Sequence, residues 1–248
     1  MSHCALLTRP SGDNDRLVHL LKQSGIRCLE RPMFEIRPTE ITTTQKTQAM
    51  SLDQFGHIIF VSKNAVHCGV KLLEQYWPQW PQVEWFAVGN ATAKELELFD
   101  IRASYPQKAG SEGLLDLPQM KDVTNCKVMI VRGHGGRELL STELSDRGAK
   151  VSYLEVYERV EIEYGEELAS DLFDLGVNLA VVTSAQGLRH LIASLSTLEI
   201  GTLHLVVPSR RIALLAGQLG CTRVFEADGA DDESLLQSIL KITLVMQT

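Results

Sequence analysis

The 248-residue sequence predicts an α/β protein of two similar lobes, each a parallel sheet with helices on both faces. Two observations predict this fold class. Short apolar runs alternate with segments of helical periodicity, which is the pattern of βα units in a parallel sheet. The chain also repeats itself, because residues 4–36 return as residues 127–159 at a spacing of 123. A repeat this long indicates a duplicated domain with a cleft between the copies, since solenoid repeats are far shorter.

The repeat keeps its register along most of the chain, with small slips. At a spacing of 123, Arg9 falls on Arg132 and Gly25 falls on Gly148. Further matches are residues 60–66 with 182–188 at 122, residues 86–92 with 206–212 at about 120, and residues 111–117 with 232–238 at 121. The two copies therefore predict the same order of elements.

Apolar runs predict the strands, and the amphipathic segments between them predict the helices. In the first copy the predicted strands are residues 5–8, 26–30, 57–61, 84–88 and 103–105, and the predicted helices are residues 13–24, 64–76, 91–99 and 111–117. In the second copy the predicted strands are residues 128–131, 150–154, 179–183, 203–207 and 223–226, with helices beginning at Gly136, Ser184, Arg210 and Asp232. Gly25, Gly148 and Gly220 are placed where helices end.

Two extended segments, residues 32–39 and 155–162, interrupt this alternation at the same point of each copy. They predict two crossover linkers that pair as a two-stranded ladder, with residues 34–40 and 155–162 as the hinge. The first βαβ unit then packs with the end of the chain. One predicted lobe comprises residues 1–33 and 163–248, and the other comprises residues 41–154.

Composition argues against several classes of protein. The net charge of −7 is the opposite of the basic excess that nucleic-acid binders carry. Five scattered cysteines without a CxxC pair predict neither a metal site nor a disulfide framework, and they fit a reducing compartment. A strand begins almost at the first residue, which leaves no room for a signal peptide, and no apolar run approaches the ~20 residues of a membrane span. We expect a cytoplasmic protein with no nucleic-acid or membrane partner.

A glycine-rich segment, residues 131–138, follows a predicted strand and opens a predicted helix. Its glycines allow close backbone approach, and N–H groups at a helix start attract anions. The segment is neither a dinucleotide fingerprint nor a Walker loop. The candidate anion-binding residues are Arg132, Gly133, Gly135, Gly136 and Arg137, together with Arg9 at the equivalent strand end of the first copy. The alternative is a tight turn with solvated arginines.

The other predicted strands also end in small polar residues. Ligands of open parallel sheets bind outside the carboxyl ends of the strands, although serine, threonine and asparagine there are also ordinary helix N-caps. The candidate ligand-binding residues are Ser62, Lys63, Asn64, Gly89, Asn90, Thr92, Thr183, Ser184, Ser209 and Arg210. Together they would form a surface of donors suited to a ligand with many acidic groups.

The sequence offers little conventional catalytic machinery. It has no HExxH motif, no G-x-S-x-G elbow and no obvious pair of acid and base, and carboxylates such as Glu155 and Glu158 are interpreted as solvated strand faces. Tyr157 is the exception, because it lies in the second hinge segment and a phenol is a neutral donor at pH 7. Its repeat partner is Phe34, so the alternative is an aromatic ring that packs on the ladder.

The chain resembles the uroporphyrinogen-III synthase family over nearly its whole length. The resemblance is carried by the order and spacing of five segments: TRP at 8–10, RGHGGRE at 132–138, LEVYER at 154–159, VTSAQGL at 182–188 and DGADDESLL at 228–236. It implies two flavodoxin-like lobes joined by a two-stranded β linker. In many relatives a Gly-x-Thr-Ala-like turn stands where residues 208–211 read PSRR, which departs from the pattern at Ser209 and Arg210.

The resemblance also implies an activity. The family cyclises hydroxymethylbilane, a linear polycarboxylate tetrapyrrole, to uroporphyrinogen III with inversion of ring D and loss of water, using neither metal nor cofactor. Tyr157 would assist departure of the hydroxyl group as water, and Ser62, Thr92 and Ser184 would line the cleft. We expect a monomeric hydro-lyase that meets the preceding enzyme of the pathway only transiently.

Two other functions are compatible with parts of the sequence. A bilobed binding or sensor protein for an anionic metabolite would explain the repeat, the hinge and the polar strand ends. It would explain neither Tyr157 nor the resemblance along the whole chain. A nucleotide-sugar transferase is disfavoured because each lobe has only about 120 residues, which is small for such a domain.

Overall fold

The computed structural model describes residues 3–245, and its chain divides into two compact units. The first unit comprises Met1–Glu35 and Val160–Thr248, and is called here the split unit. The second comprises Ile36–Arg159, and is called the continuous unit. The predicted role of residues 34–40 and 155–162 as a hinge stays a prediction.

Strands and helices alternate along the chain. The strands are β1 (Cys4–Leu7), β2 (Arg27–Glu30), β3 (Phe34–Pro38), β4 (His57–Phe60), β5 (Glu84–Ala87), β6 (Lys127–Gly133), β7 (Lys150–Glu161), β8 (Leu179–Val181), β9 (His204–Val207) and β10 (Val224–Glu226). The helices are α1 (Asp15–Gln23), α2 (Thr43–Met50), α3 (Lys63–Leu73), α4 (Asn90–Glu97), α5 (Ser111–Leu115), α6 (Leu139–Asp146), α7 (Glu167–Asp174), α8 (Ala185–Ala193), α9 (Thr197–Thr202), α10 (Arg210–Gln218) and α11 (Asp232–Val245).

Each unit contains one five-stranded sheet, and the α/β fold class is confirmed. The strand order is β10-β9-β8-β1-β2 in one sheet and β3-β7-β6-β4-β5 in the other. In the first sheet every pair is parallel. In the second, β4 pairs in parallel with β5 and β6, and β6 pairs in parallel with β7. The first sheet has the 2-1-3-4-5 order of flavodoxin-like folds.

The strand registers carry the sequence repeat into three dimensions. Cys4 pairs with Arg27 in one sheet, and the residues 123 positions later, Lys127 and Lys150, pair in the other. The equivalence extends across the copies: the pairs Ala5↔Leu179, Leu179↔His204 and Phe225↔Val206 correspond to Val128↔His57, His57↔Glu84 and Ser104↔Phe86. Each sheet therefore combines strands from both copies of the repeat.

Glycines end equivalent helices in the two units, as predicted. Gly25 has φ +72°, its N–H donates to the Lys22 carbonyl at 3.1 Å, and the next N–H, of Ile26, donates to Leu21 at 2.9 Å. This pair of bonds is a Schellman closure, which needs the left-handed conformation that glycine adopts without strain. Gly148, 123 residues later, ends α6 with the same two bonds at 2.9 and 3.0 Å.

Several predicted elements were wrong or missing. The predicted strand at 103–105 is only an isolated bridge between Ser104 and Phe86. Helix α6 begins at Leu139 instead of Gly136, because Gly135 and Gly136 both take positive φ and prolong the loop. The segments 150–154 and 155–162 form one strand, β7, that ends at Glu161.

Three helices were not predicted: α2, α7 and α9. Two of them begin with capping boxes that the sequence displays. Thr42 and Gln45 cap α2 reciprocally, and Ser196 and Glu199 do the same for α9. A serine or threonine followed three residues later by glutamate or glutamine is a recognisable helix start, so this signal was available and was overlooked.

The cores lie on both faces of each sheet. Cys4 and Leu6 of β1 belong to one buried cluster, whereas Ala5 and Leu7 belong to another on the opposite face. In a strand, successive side chains point to opposite faces, so a strand covered on both sides is apolar throughout. Because the strand sides are filled with apolar groups, polar side chains are left to the strand ends.

No helix within residues 3–245 is long and apolar enough to span a membrane.

Candidate functional site at the carboxyl ends of the strands

The continuous unit brings three predicted groups of residues to one edge of its sheet. Strand β4 is followed by Ser62, Lys63 and Asn64, β5 is followed by residues 89–92, and β6 is followed by residues 134–138. Strand β4 lies between β5 and β6, and neighbouring strands are about 4.8 Å apart. The three groups are therefore neighbours, as the prediction required.

Tyr157 lies beside the last residue of β6. It pairs with Gly133 across the β6–β7 ladder and is only 3% exposed. A Cβ atom added at Gly133 would lie 2.5 and 2.6 Å from two carbon atoms of the Tyr157 ring. Only a glycine leaves room for the ring at this position. Gly133 was predicted to bind an anion, but in the structure it makes room for the Tyr157 ring, a role that the sequence did not indicate.

A register shift in β7 aims the Tyr157 side chain. Arg132 pairs with Glu155 and Gly133 pairs with Tyr157, so that Val156 is passed over. Consecutive residues of a regular strand point to opposite faces, yet Val156 and Tyr157 both belong to one buried apolar cluster. A bulge re-aims a side chain in this way.

The hydroxyl group of Tyr157 meets Ser62. Their oxygens are 3.1 Å apart, and the Ser62 Oγ also accepts the Ala65 N–H at 3.0 Å as the N-cap of α3. Ser62 therefore caps a helix and also contacts the candidate tyrosine, while its predicted contact with a ligand stays a prediction. Each hydroxyl carries one proton, so whichever hydroxyl donates to the other, the pair retains one O–H for a third group.

Arg132 uses its donors within the glycine-rich loop. Its guanidinium donates to the Gly133 carbonyl at 3.2 Å, to Glu138 Oε1 at 3.1 Å and to the Gly135 carbonyl. The side chain is only 6% exposed and lies over the Tyr153 ring, 4.4 Å from its centroid. The contact of Arg132 with an anionic ligand stays a prediction. What the structure shows is that Arg132 connects the residues of the loop to one another.

Glu138 and Tyr153 complete the surroundings of Arg132. Glu138 accepts hydrogen bonds from the Tyr153 hydroxyl and from Ser141 Oγ, the latter at 3.2 Å. The bond from Tyr153, followed by those from Arg132 and Ser141, lowers the pKa of Glu138. Burial, reinforced by Glu138, raises the pKa of Tyr153. At neutral pH an anionic Glu138 and a neutral Tyr153 therefore hold the guanidinium.

Glu155 is a contact that sequence reasoning missed. Its carboxylate lies 3.1 Å from His134 Nδ1 and accepts the Gly135 N–H at 3.3 Å. Its carbonyl accepts hydrogen bonds from Thr39 Oγ1 at 3.0 Å and Gln45 Nε2 at 2.7 Å. The sequence placed Glu155 on a solvated strand face. No local signal separates it from Glu158, because the difference lies in the loop that folds over it.

The rest of this edge is more open. Lys63, Asn90 and Arg137 are exposed, and Arg137 is 66% exposed with Nη1 3.9 Å from Glu112 Oε1. Asn64 is half-buried. Thr92 is buried at the start of α4.

Gly89 precedes α4 and is covered by a neighbouring loop. Its added Cβ would lie 2.9 Å from the Cβ of Ala109, and the Gly110 N–H donates to the Val88 carbonyl at 2.8 Å. Gly136 has φ +109°, and its added Cβ would lie 3.2 Å from Arg132 Nη2. Both glycines accommodate neighbouring groups, which is a structural use of residues that the sequence marked as anion-binding.

In the split unit, Arg9 is held as Arg132 is held in the continuous unit. Its side chain is 12% exposed, Nη1 pairs with Asp232 Oδ1 at 2.6 Å and also donates to the Asp13 carbonyl at 3.2 Å. Nη2 donates to the Ala230 carbonyl at 2.5 Å. The donors of Arg9 therefore tie the loop after β1 to the loop before α11.

The remaining predicted residues of the split unit follow β8 and β9. Ser184 is exposed, and its Oγ accepts the Gly187 N–H at 2.9 Å as the N-cap of α8. Thr183 is half-buried. Ser209 precedes α10 without a side-chain cap bond, and Arg210 is the exposed first residue of that helix.

Within residues 3–245 no group of three or more His, Cys, Asp or Glu is placed to hold a metal ion.

Comparisons with known proteins agree on one family. A family model described as "Uroporphyrinogen-III synthase HemD" matches residues 15–237. The chain is similar to the uroporphyrinogen-III synthase of Escherichia coli K12, with 34% identity over 242 residues that cover 94% of this chain and 98% of the relative. It is similar to the same enzyme of Salmonella typhimurium, with 34% identity over 244 residues, again 94% and 98% of the two chains.

Solved structures agree on the fold. A mutant uroporphyrinogen III synthase of the extremely thermophilic bacterium Thermus thermophilus matches with a TM-score of 0.65 and 15% identity, over 98% of this chain and 99% of that one. The uroporphyrinogen-III synthetase of Helicobacter pylori matches with a TM-score of 0.62 and 18% identity, over 98% and 100%. At these identities the structures show a common two-domain fold.

Proposed function

Because the chain belongs to the uroporphyrinogen-III synthase family, we propose that it cyclises hydroxymethylbilane to uroporphyrinogen III. The C–O bond of the terminal hydroxymethyl group breaks, and the hydroxyl takes up a proton and leaves as water. The freed methylene carbon bonds to the ring D carbon that already carries the bridge to ring C, which gives a spiro intermediate; that bridge bond then breaks and re-forms at the free α-carbon of ring D. The α-hydrogen leaves as a proton, which balances the proton taken up by the hydroxyl, and ring D is inverted in the closed macrocycle. Hydroxymethylbilane also closes spontaneously, without inversion, to the type I isomer. The task of the protein is therefore to hold one conformation of the substrate, which is catalysis by positioning.

One observation supports the reacting group: the Tyr157 hydroxyl lies 3.1 Å from Ser62 Oγ at the carboxyl edge of the sheet. In the proposed step, the pair gives one O–H proton toward the departing hydroxyl, with Tyr157 as the donor. Positioned proton donors of this kind contribute about 10²–10⁴-fold to a rate. Packing against Gly133 restricts the ring, so the phenol keeps one orientation.

The substrate carries many carboxylates, and exposed cations suit them. Lys63 and Arg137 in the continuous unit and Arg210 in the split unit are exposed, in contrast to Arg9 and Arg132. Charge-assisted bonds to carboxylates are among the stronger hydrogen bonds. The proposed contacts also include neutral donors: Asn64, Asn90, Thr92, Thr183, Ser184 and Ser209.

The setting of the reaction is part of the proposal. We infer a monomer in the cytoplasm that needs neither metal nor cofactor and receives its unstable substrate through transient contact with the preceding enzyme. Size-exclusion chromatography with light scattering measures the monomer directly. Preincubation with EDTA should leave the rate unchanged, and a loss of activity that added metal restores would show a metal requirement.

The activity itself is tested by isomer analysis. Fresh hydroxymethylbilane is supplied, the products are oxidised, and the type I and type III porphyrins are resolved. We expect type III to dominate with protein present and type I to dominate without it. Type III at or below the no-protein control would refute the synthase, and tight substrate binding without turnover would favour the binding-protein alternative.

A further inference from the structure

Glu155 connects the glycine-rich loop to the strand that carries Tyr157. One carboxylate oxygen lies 3.1 Å from His134 Nδ1, and the other accepts the Gly135 N–H at 3.3 Å and lies 3.8 Å from Arg132 Nε. We infer that Glu155 is a positioning residue for the proposed reaction. Its carboxylate holds the loop so that Tyr157 keeps its ring on Gly133 and its hydroxyl on Ser62.

The contacts run in sequence from the carboxylate to the hydroxyl. The His134 N–H donates to the Tyr157 carbonyl at 2.7 Å, so the same residue bonds the side chain of Glu155 and the backbone of Tyr157. Gly133 precedes His134 and touches the ring, where an added Cβ would come within 2.6 Å of two ring atoms. A displacement of the loop by an ångström therefore moves the surface on which the ring rests.

The strand side of this arrangement is anchored independently. The Glu155 carbonyl accepts bonds from Thr39 and Gln45, at 3.0 and 2.7 Å, and the Thr39 N–H donates to the Val156 carbonyl at 3.2 Å. With the backbone of Glu155 held from one side, its carboxylate can fix the loop on the other. The exposed loop depends on this carboxylate and on the contacts of Arg132.

The carboxylate also occupies one backbone donor, the Gly135 N–H, that was predicted to bind an external anion. The Gly135 N–H donates to Glu155, the His134 imidazole lies beside the same carboxylate, and Arg132 donates to Glu138. These contacts tie the loop to the strand that carries Tyr157 through groups of the chain itself. This assigns to the loop a role in orienting Tyr157.

The split unit supplies an internal comparison. The residue 123 positions before Glu155 is Pro32, the counterpart of His134 is Ser11, and the counterpart of Tyr157 is Phe34. The copy without the phenol hydroxyl thus lacks both the carboxylate and the imidazole. The packing position is duplicated, whereas the Glu155–His134 contact occurs where a hydroxyl has to be oriented.

The inference rests on the proposed function, and it is tested with the full chain. Glu155→Gln keeps the shape of the side chain and removes its charge. Glu158→Gln is the matched control, since Glu158 lies on the same strand and its side chain forms no hydrogen bond or ion pair with the described residues. We expect Glu155→Gln to lower kcat for type III formation about tenfold, because a bond to a charged group is weakened, with KM changed less than twofold. Glu158→Gln should match the wild type.

Coupling to Tyr157 separates positioning from general damage to the fold. In a Tyr157→Phe background, Glu155→Gln should lower kcat by less than twofold, because no hydroxyl remains to be oriented. An equal loss in both backgrounds, or equal effects of Glu155→Gln and Glu158→Gln, would overturn the inference. If Glu155→Gln does not fold, His134→Ala takes its place in the same cycle, since that side chain is 74% exposed. A wild-type protein that forms no type III would refute the proposed function instead.

Discussion

The split and continuous units place equivalent aromatic residues beside equivalent serines, but only one pair can share a hydrogen bond. Phe34 and Tyr157 are both buried, and Ser184 and Ser62 both accept an N–H three residues ahead as helix caps. Tyr157 meets Ser62 at 3.1 Å, whereas the Phe34 ring packs near His190, 5.7 Å between ring centroids. The two units share the packing position, and only the continuous unit has a hydroxyl group there.

The arginines teach the opposite lesson. Arg9 and Arg132 are equivalent, and each is largely shielded from solvent, with a carboxylate partner and backbone carbonyls as acceptors. Both units keep this arginine, and in both its donors are used by acceptors of the chain itself. A structural role therefore explains the arginine in each unit. Groups that differ between the units are the better candidates for chemistry.

Tyr157→Phe makes the continuous unit resemble the split one, and it should have the largest effect. We expect kcat for type III formation to fall about 100-fold, because one positioned donor is lost. The free energy of unfolding should change by no more than about 1 kcal/mol, since the ring is kept and one hydrogen bond is removed. Quenched-flow isomer analysis and urea unfolding measure the two quantities.

The matched control for that variant is Phe34→Tyr in the split unit, which should leave kcat unchanged. If Tyr157→Phe retains the wild-type rate, Tyr157 has only a packing role and the comparison between the units loses its functional meaning.

Arg9→Ala and Arg132→Ala should both destabilise the fold. Each leaves a carboxylate and several carbonyls without their donor, which costs about 2 kcal/mol in the free energy of unfolding. Urea titration followed by circular dichroism measures this loss. Unchanged stability together with a raised KM would show that the arginines bind substrate, as the sequence first suggested.

Arg137→Ala distinguishes an exposed cation from the two buried ones. Its side chain is 66% exposed with a distant partner, so stability should stay within about 0.5 kcal/mol of the wild type. We expect KM to rise about fivefold, consistent with the loss of one charge-assisted contact, and kcat to stay nearly constant. A KM equal to that of the wild type would remove Arg137 from the proposed carboxylate contacts.

Ser62→Ala and Ser184→Ala remove equivalent helix caps. Both should cost about 1 kcal/mol of stability, which thermal unfolding would detect. Only Ser62→Ala should also lower kcat, by several-fold, because only Ser62 contacts the phenol. Equal effects of the two variants on kcat would mean that capping alone accounts for Ser62.

Mild acid should weaken the split unit first. Burial lowers the pKa of His3 below its usual 6.5, so the unfolded chain binds a proton more readily than the folded one. The free energy of unfolding therefore falls as the pH drops below about 6.5, down to the lowered pKa. The counterpart in the continuous unit is Cys126, a thiol whose pKa is raised by burial and which stays neutral in this range.

The two units can be observed separately in that experiment. All three tryptophans, Trp77, Trp80 and Trp85, lie in the continuous unit. Urea unfolding at pH 7.5 and 5.5 is followed by tryptophan fluorescence and by circular dichroism. We expect the free energy of unfolding measured by circular dichroism to be lower at pH 5.5 than at pH 7.5, and this difference to be smaller in His3→Gln. A difference of the same size in His3→Gln would exclude His3 as its cause.

Local patterns were sufficient for most of the fold. Apolar alternation located all ten strands except β3, which was recognised only as part of an extended segment, and glycine placed the ends of α1 and α6. The errors arose where local signals were weak or overlooked. Residues 103–105 are apolar enough for a strand but make a single bridge, and the capping box of α2 was present and unused.

The site was predicted at the level of position and only partly at the level of role. Ser62 was singled out because strand ends in a parallel sheet lie at one edge. Tyr157 was singled out separately, as a phenol in the extended segment 155–162. The hydrogen bond between Ser62 and Tyr157 could not be predicted from the sequence. The two residues are 95 positions apart, and they are neighbours only because β6 lies between β4 and β7 in the sheet. Glu155 was interpreted as part of a solvated strand face, because the loop that folds over it is placed only by the tertiary structure.

The sequence by itself determined the duplicated α/β pattern, because hydrophobic periodicity, repeat spacing and glycine at helix ends are properties of short segments. Only the tertiary structure decided which polar groups have partners. The register shift at Val156 turns Tyr157 toward Ser62. The folded loop after β6 brings Arg132 into a hydrogen bond with Glu138, and it brings the Gly135 N–H to the Glu155 carboxylate. Hydrogen bonds between distant residues depend on angles and separations of an ångström, and these emerge only when the sheet of the continuous unit has formed.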